Sequence, residues 1–230
     1  MSKTATPQKP VYLVLVGLSL LAAALPAIWP ALDIGVARFF LQARPPLNAS
    51  QWFWVDWVNE YTPDVFRWLA VLCLVGWVVV SVVSRRKRLA LALAFVGFSV
   101  ALGPGLATWA VKDQTLRARP FDVTEFGGVR LFTPALIKTR QCDDNCAFVS
   151  GHVACGFFFA SLMLLDPRRR WWWISAGTAA GLVIGLARMS VGAHWLSDVL
   201  WAFPITLVTS GIVWQVLALF YHPENDPQPL

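Results

Sequence analysis

Six runs of apolar residues, each close to the length that crosses a bilayer, constrain this chain more than any other feature. They cover about residues 11–31, 65–84, 89–111, 149–165, 171–187 and 199–221. A helix needs roughly 20 residues to cross the hydrocarbon core. Hydrophobic residues make up 57% of the chain and charged residues 14%, far from the soluble norm. A soluble all-α protein would not need so many uncharged runs of this length. The expected fold is an all-α, polytopic membrane protein with six transmembrane helices. The fifth run is the shortest and least distinct. Gly103-Pro104-Gly105 interrupts the third and is a place for a kink.

The first run follows Lys3 and Lys9 and contains the small residues AAALPA, a pattern shared with signal peptides. Its length favours an uncleaved helix. No repeat, low-complexity tract or linker divides the chain, so residues 1–230 are expected to form one domain. The tail at 222–230, HPENDPQPL, is polar and proline-rich and is expected to be flexible.

Short basic loops set the orientation. Arg85-Arg86-Lys87-Arg88 joins runs two and three, and Arg168-Arg169-Arg170 joins runs four and five. Both belong in the cytoplasm with the Lys-bearing N-terminus, which predicts six spans with both ends inside. The clusters Trp52, Trp54, Trp57 and Trp171, Trp172, Trp173 fit interfacial aromatic belts. The net charge of +6 comes from basic residues scattered among loops. No basic face is interleaved with aromatics, which argues against nucleic acid as a partner.

The loop 112–148 then faces outward. Cys142 and Cys146 in CDDNC can there close a tight disulfide; free thiols and a metal pair are the other readings. Cys73 and Cys155 fall inside spans and read as small packing residues.

Three polar elements stand at the outer ends of the runs. In KDQTLRARP, Lys112 and Arg119 are seven residues apart, about two helical turns, which predicts one shared face ended by Pro120. Such span-end cations ordinarily snorkel to headgroups. In VSGH, Ser150 reads as the N-cap of run four, and Gly151 lets an anion approach the unpaired backbone N–H groups. His152 is held beside that anion, able to give or take a proton. In ARMSVGAHWLSD, His194 and Asp198 are four apart and would stack if a helix begins near His194. The carboxylate can fix one imidazole nitrogen and leave the other as nucleophile or base. Arg188 ends run five on the same side. Ion pairing alone would explain Arg188 and Asp198 but not the histidine. Three cations, a helix N-terminus and two histidines are what phosphoryl transfer asks for, since that chemistry is mostly positioning and neutralisation of negative charge.

These motifs resemble the type 2 phosphatidic acid phosphatase superfamily, whose pattern is K-x6-RP, then PSGH, then SR-x5-H-x3-D. Here Lys112, Arg119 and Pro120 complete the first motif. Val149 replaces the proline of the second and Ala187 the serine of the third. The resemblance covers about residues 61–221, taken as the domain core. It implies that His194 attacks phosphorus to give a phosphohistidine, that Asp198 orients it and that His152 protonates the leaving group. Lys112, Arg119, Arg188, Ser150 and Gly151 hold phosphate oxygens. No metal or other cofactor is implied.

The implied protein is a metal-independent phosphatase of the bacterial inner membrane, multi-pass, with its site facing the periplasm and a phospholipid or lipid A-type molecule as substrate. CDDNCAFVSGH is similar to a stretch in some lipid A phosphatases, which ranks lipid A just ahead of undecaprenyl pyrophosphate. Phosphatidylglycerol phosphate and phosphatidic acid follow. Arg117, Arg130, Lys138 and Arg140 add positive charge suited to a multiply phosphorylated headgroup, or simply to anionic lipid. Rival readings are a lipid-to-lipid phosphotransferase and a non-catalytic lipid-binding or transport protein. His222 reads as incidental, and the sequence names no protein partner.

Overall fold

A computed structural model of the protein describes residues 8–42, 52–84 and 86–221. Lys3, Arg85, His222 and the tail 222–230 lie outside the described residues. Among the described residues, eight α-helices follow in order: α1 Gln8–Ile28, α2 Ala31–Leu41, α3 Phe53–Val83, α4 Lys87–Val100, α5 Thr108–Thr115, α6 Gly151–Ser161, α7 Arg170–Ser190 and α8 Leu196–Phe220. Among the described residues the only strand-like pairing is an isolated bridge between Val123 and Arg130.

All six expected runs are helical and occur in the expected order. Among the described residues, four stretches are long and apolar enough to cross a membrane: Lys9–Ile28, Phe53–Val83, Lys87–Asp122 and Leu196–Phe220. The shortest of the six is the fourth run, not the fifth. Its apolar helical stretch is Gly151–Leu164, which at 1.5 Å per residue falls short of the ~30 Å hydrocarbon core. A helix this short and apolar suits the middle of a bundle, and α6 is packed against α3, α7 and α8.

Two elements were not expected. Helix α2 occupies a stretch read as loop. Helix α3 begins at Phe53 rather than near residue 65 and runs for 31 residues, a rise of about 46 Å. Asp56 and Glu60 disguised its start, but both are exposed on the helix surface. Trp52 and Trp57 are exposed as a belt requires, whereas Trp54 packs against buried Val55 and Ala187. At the other end Trp171 and Trp172 are exposed, and Trp173 donates to Asp166 at 3.4 Å.

The interruption at Gly103-Pro104-Gly105 becomes a π-helical segment, Ala101–Ala107, joining α4 to α5. Proline cannot donate to the preceding turn, and widening the helix absorbs that loss. The Thr108 hydroxyl donates to the Pro104 carbonyl at 2.6 Å.

Close approach of α6 and α7 depends on glycine. A Cβ at Gly177 would lie 2.1 Å from Ala160 N, and one at Gly156 would lie 2.7 Å from Gly181 N. Small residues four apart let two backbones meet where lipid provides no hydrophobic drive for association. The consequence for function is direct. Helix α6 begins at the Ser150-Gly151-His152 motif and α7 carries Arg188 in its last turn, so their contact fixes one motif against the other.

Candidate active site

The polar elements gather at one end of the bundle, where α5 and α7 finish and α6 and α8 begin. The basic residues Lys87, Arg88 and Arg168 to Arg170 lie at the opposite ends of α4 and α7.

Lys112 and Arg119 converge, but not along one helical face. Helix α5 stops at Thr115 because Leu116 adopts the left-handed conformation, at φ 49°. Arg119 is extended, and Pro120 opens a 3-10 turn rather than closing a helix. What unites the two cations is Asn145. Lys112 Nζ donates to Asn145 Oδ1 at 3.2 Å and to the Cys146 carbonyl at 2.7 Å. Arg119 Nη2 donates to the Asn145 carbonyl at 2.7 Å. Asn145 itself has a positive φ of 45°. It sits inside the small ring closed by Cys142 and Cys146, which are bridged with Cα atoms 5.6 Å apart. The ring therefore aims three acceptors at two cations. Its contribution went unread in the sequence, where Asn145 was only a residue between cysteines.

Ser150 caps α6, its Oγ accepting from Val153 N at 3.4 Å. Gly151 has a packing reason besides anion access, since a Cβ there would lie 3.3 Å from Thr108 Oγ1. His152 turns Nε2 toward the Asn59 carbonyl at 3.0 Å. A carbonyl oxygen only accepts, so Nε2 carries the hydrogen there and Nδ1 is the nitrogen free for exchange. Asn59 lies on the first turns of α3 and also accepts from Arg188 Nη1 through Oδ1 at 2.7 Å. One residue thus orients both a histidine and a cation. Asn59 precedes the second apolar run, and no local motif marks it.

The α7–α8 turn brings Arg188 and His194 close in sequence and space. Gly192, at φ 68°, permits the reversal, and Ala193 N donates back to the Arg188 carbonyl at 3.0 Å. His194 precedes α8 rather than lying on it, because Trp195 is the N-cap. The expected i, i+4 helical stack is replaced by a capping contact. Asp198 Oδ2 accepts from Trp195 N at 2.8 Å and lies 3.4 Å from His194 Nδ1. That second approach is an ion-pair distance without an aligned hydrogen bond. Burial, then the charges of Lys112, Arg188, Arg119 and His152, hold the His194 imidazole well below its ordinary proton affinity. Four basic side chains and burial thus all disfavour its protonation.

Arg117 corrects an expectation. Read as a loop cation for headgroups, it is 1% exposed and pairs with Asp33 and Asp198, each at 2.7 Å. Arg130 is paired with Asp143 at 2.5 Å, while Lys138 and Arg140 remain exposed. The two departures from the family motif are both buried in apolar niches. Val149 packs with Phe148 and Ala135, and Ala187 with Val55.

A cavity of about 560 Å³ leads away from the site between α3 and the α4–α5 and α6 helices. Lys112, Asn145, Gly151 and His152 line one end, and Phe66, Ala70, Val71, Leu74, Val100 and Cys155 line the rest. Arg67, on the same wall, is paired with Asp64 at 2.6 Å. The polar head of the cavity is continuous with an apolar trough.

Residues 88–221 match the PAP2 superfamily. The chain is 31% identical over 205 residues to the lipid A 4'-phosphatase of Francisella tularensis subsp. novicida (strain U112), covering 86% of this chain and 90% of that one. It is 30% identical over 145 residues to the lipid A 4'-phosphatase of Rhizobium leguminosarum, covering 62% of this chain and 60% of the relative. The corresponding protein of Rhizobium etli is 27% identical over 164 residues, 70% of this chain and 62% of the relative. No solved structure gives a significant match.

Proposed function

The chain belongs to the PAP2 superfamily and is a membrane lipid phosphatase; on that premise we propose that it removes a phosphate from a lipid A-type glycolipid at the periplasmic face of the inner membrane. The observation that carries the reading is the cluster of Lys112, Arg119, Arg188 and His152 around His194, two members of which, Lys112 and His152, also line a largely apolar cavity. A phosphate among these cations and acyl chains along Phe66, Ala70 and Leu74 is the pairing such a cavity accommodates. The relatives named as lipid A 4'-phosphatases favour a phosphorylated sugar lipid over a glycerol or prenyl lipid. The basic clusters at the far end of α4 and α7 favour a cytoplasmic location there and a periplasmic one for the site.

The chemistry follows from the atoms present. His194 Nδ1 faces Asp198, which leaves Nε2 to attack phosphorus as the P–O bond to the sugar breaks. His152, entering the step as imidazolium, gives its Nδ1 proton to the departing oxygen and keeps Nε2–H on the Asn59 carbonyl. Water then attacks the phosphohistidine, His152 takes the water's proton, and the P–N bond breaks to release inorganic phosphate. Lys112, Arg119 and Arg188, with the first amides of α6 after Ser150 and Gly151, neutralise the charge that spreads over the phosphoryl oxygens. Arg188 Nε is buried with no hydrogen-bond partner, a cost of about 1–3 kcal/mol that a phosphate oxygen would remove.

The test is phosphate release by the purified protein in detergent from lipid A, undecaprenyl pyrophosphate, phosphatidylglycerol phosphate and phosphatidic acid. His194→Ala serves as the blank. Preferential turnover of lipid A is expected. Turnover of the prenyl or glycerol lipids with lipid A untouched would reject the substrate, and phosphate appearing on a second lipid instead of in water would reject hydrolysis.

A further inference from the structure

Arg117 and Asp33 are the most deeply buried ion pair of the described residues that the catalytic reading leaves without a task. Arg117 is 1% exposed and Asp33 is fully buried, though both come from stretches read in sequence as surface loops. Each nitrogen of the guanidinium is engaged. Nε donates to the Thr133 carbonyl at 2.8 Å, and Nη2 to Asp33 Oδ2 at 2.7 Å. Nη1 donates to both Ser197 Oγ and Asp198 Oδ1 at 2.7 Å. Its plane is held between Phe132 and Trp195, with ring centroids 5.6 and 5.3 Å away. Asp33 in turn accepts from Ser197 N at 2.8 Å and from Ser197 Oγ at 2.6 Å, closing the network onto the first turn of α8.

We propose that Arg117, anchored by Asp33, is a positioning residue that holds the Asp198 carboxylate charged and directs its second oxygen at His194. This rests on the reading of His194 as nucleophile and Asp198 as its orienting partner. Asp198 Oδ1 is taken by Arg117, so only Oδ2 remains for Trp195 N and His194 Nδ1. Rotation of the carboxylate would break the contact to Arg117. A phosphate-binding role does not fit, because no nitrogen of Arg117 is left without a protein partner.

The segment carrying Arg117 also couples the two halves of the site. It lies between Lys112 and Arg119 in sequence. Its carbonyl accepts from Ala147 N at 2.9 Å, and the Ala118 carbonyl accepts from Trp195 Nε1 at 2.8 Å. One short stretch thus places the phosphate-side cations and the carboxylate behind the nucleophile in a single frame. Buried charges are costly to isolate, and two carboxylates sharing one guanidinium would be hard to keep for packing alone.

The experiment compares the full-length Arg117→Met, Arg117→Lys, Asp33→Asn and Asp198→Asn variants, and the Arg117→Met/Asp198→Asn double variant, in detergent. Phosphate release gives kcat and KM against pH, and thermal unfolding reports folding. Arg117→Met is expected to lower kcat about 10²-fold, less than the ~10⁴-fold seen when an orienting carboxylate is neutralised in a serine-protease triad. KM should stay within about 3-fold, and Arg117→Lys should recover part of the loss. The acid limb of kcat should move to higher pH, because Asp198 would then face Asp33, His194 and Lys112 without its guanidinium. Added to Asp198→Asn, Arg117→Met should cost little more, since both act through one carboxylate. Should Arg117→Met fold poorly, Arg117→Lys carries the same kcat and pH test with less disturbance, while Asp33→Asn tests kcat alone, since it also removes a like charge beside Asp198. A raised KM with intact kcat would overturn the proposal in favour of substrate binding. An unmoved pH profile with full additivity on Asp198→Asn would overturn it in favour of a structural staple. Wild-type kcat in Asp198→Asn would instead overturn the His194–Asp198 pair, and this role with it.

Discussion

Arg188 is tied to Asn59 by a 2.7 Å hydrogen bond from Nη1 to Oδ1, across 129 residues of sequence. The Asn59 carbonyl meets His152 Nε2 at 3.0 Å. Helix α3 therefore works as a template against which the α6 and α7 motifs are aligned. Replacing Asn59 by Leu keeps the size and the carbonyl but removes the acceptor for Arg188. A hydrogen bond to a charged group is worth about 1.5–3 kcal/mol, so kcat/KM should fall roughly 10- to 150-fold. An unchanged kcat/KM in the Asn59→Leu variant would show that Arg188 finds its place without α3.

The Cys142–Cys146 ring is expected to act through Asn145. Removing the cross-link lets Asn145 leave its left-handed conformation, and Lys112 and Arg119 then lose their common acceptor. The Cys142→Ser/Cys146→Ser variant should show a raised KM with a smaller change in kcat, because positioning of the phosphate-side cations is what suffers. Mass mapping of protein from native membranes without reductant should recover a linked loop peptide. Two freely alkylated thiols there, or a KM untouched by the double substitution, would refute the role.

His194 should stay neutral where ordinary histidines take up a proton. Burial and four neighbouring cationic or ionisable basic groups depress its affinity. The unfolded chain binds that proton below pH ~6.5 and the folded site does not. Stability must then rise with pH through this window and fall as pH drops below it. The chain has three histidines, so histidine-labelled protein gives a ¹⁵N spectrum that single substitutions can assign. The His194 signal should keep its neutral shifts from pH 7.5 to 5.5. A titration midpoint near 6.5 would contradict the enclosure.

Which parts of this architecture could be read from sequence follows from how local their signals are. Span order, the Ser150 cap and the grouping of Lys112, Arg119, His152, Arg188, His194 and Asp198 rest on spacing within short motifs. Asp33, Asn59, Arg117 and Asn145 act only through partners that are distant in the chain or not marked by a motif. Arg117 resembled any loop cation until its two carboxylates, 84 and 81 residues away, were visible. The Lys112–Arg119 face failed because Leu116 breaks the helix, a left-handed residue that composition does not announce. The His194–Asp198 stack failed similarly, since α8 begins at Leu196, two residues past His194. In both cases the groups still meet, through loop geometry in place of helical periodicity.

The two histidines should separate by leaving group. His194 is read as the atom that bonds phosphorus, and His152, with Nε2 on the Asn59 carbonyl and Nδ1 free, as the proton donor to the departing oxygen. His194→Ala should abolish turnover and any trapped phosphoenzyme on every substrate. His152→Ala should lose general-acid help worth about 10²–10⁴-fold on a sugar phosphate. On p-nitrophenyl phosphate the departing phenolate needs little protonation, so the His152→Ala defect should shrink while the His194→Ala defect does not. Two variants and two substrates of different leaving-group basicity suffice. Equal losses for both variants on both substrates would reject the division of labour. Phosphoenzyme formation by His194→Ala but not by His152→Ala would reverse it and make the histidine held by Asn59 the nucleophile.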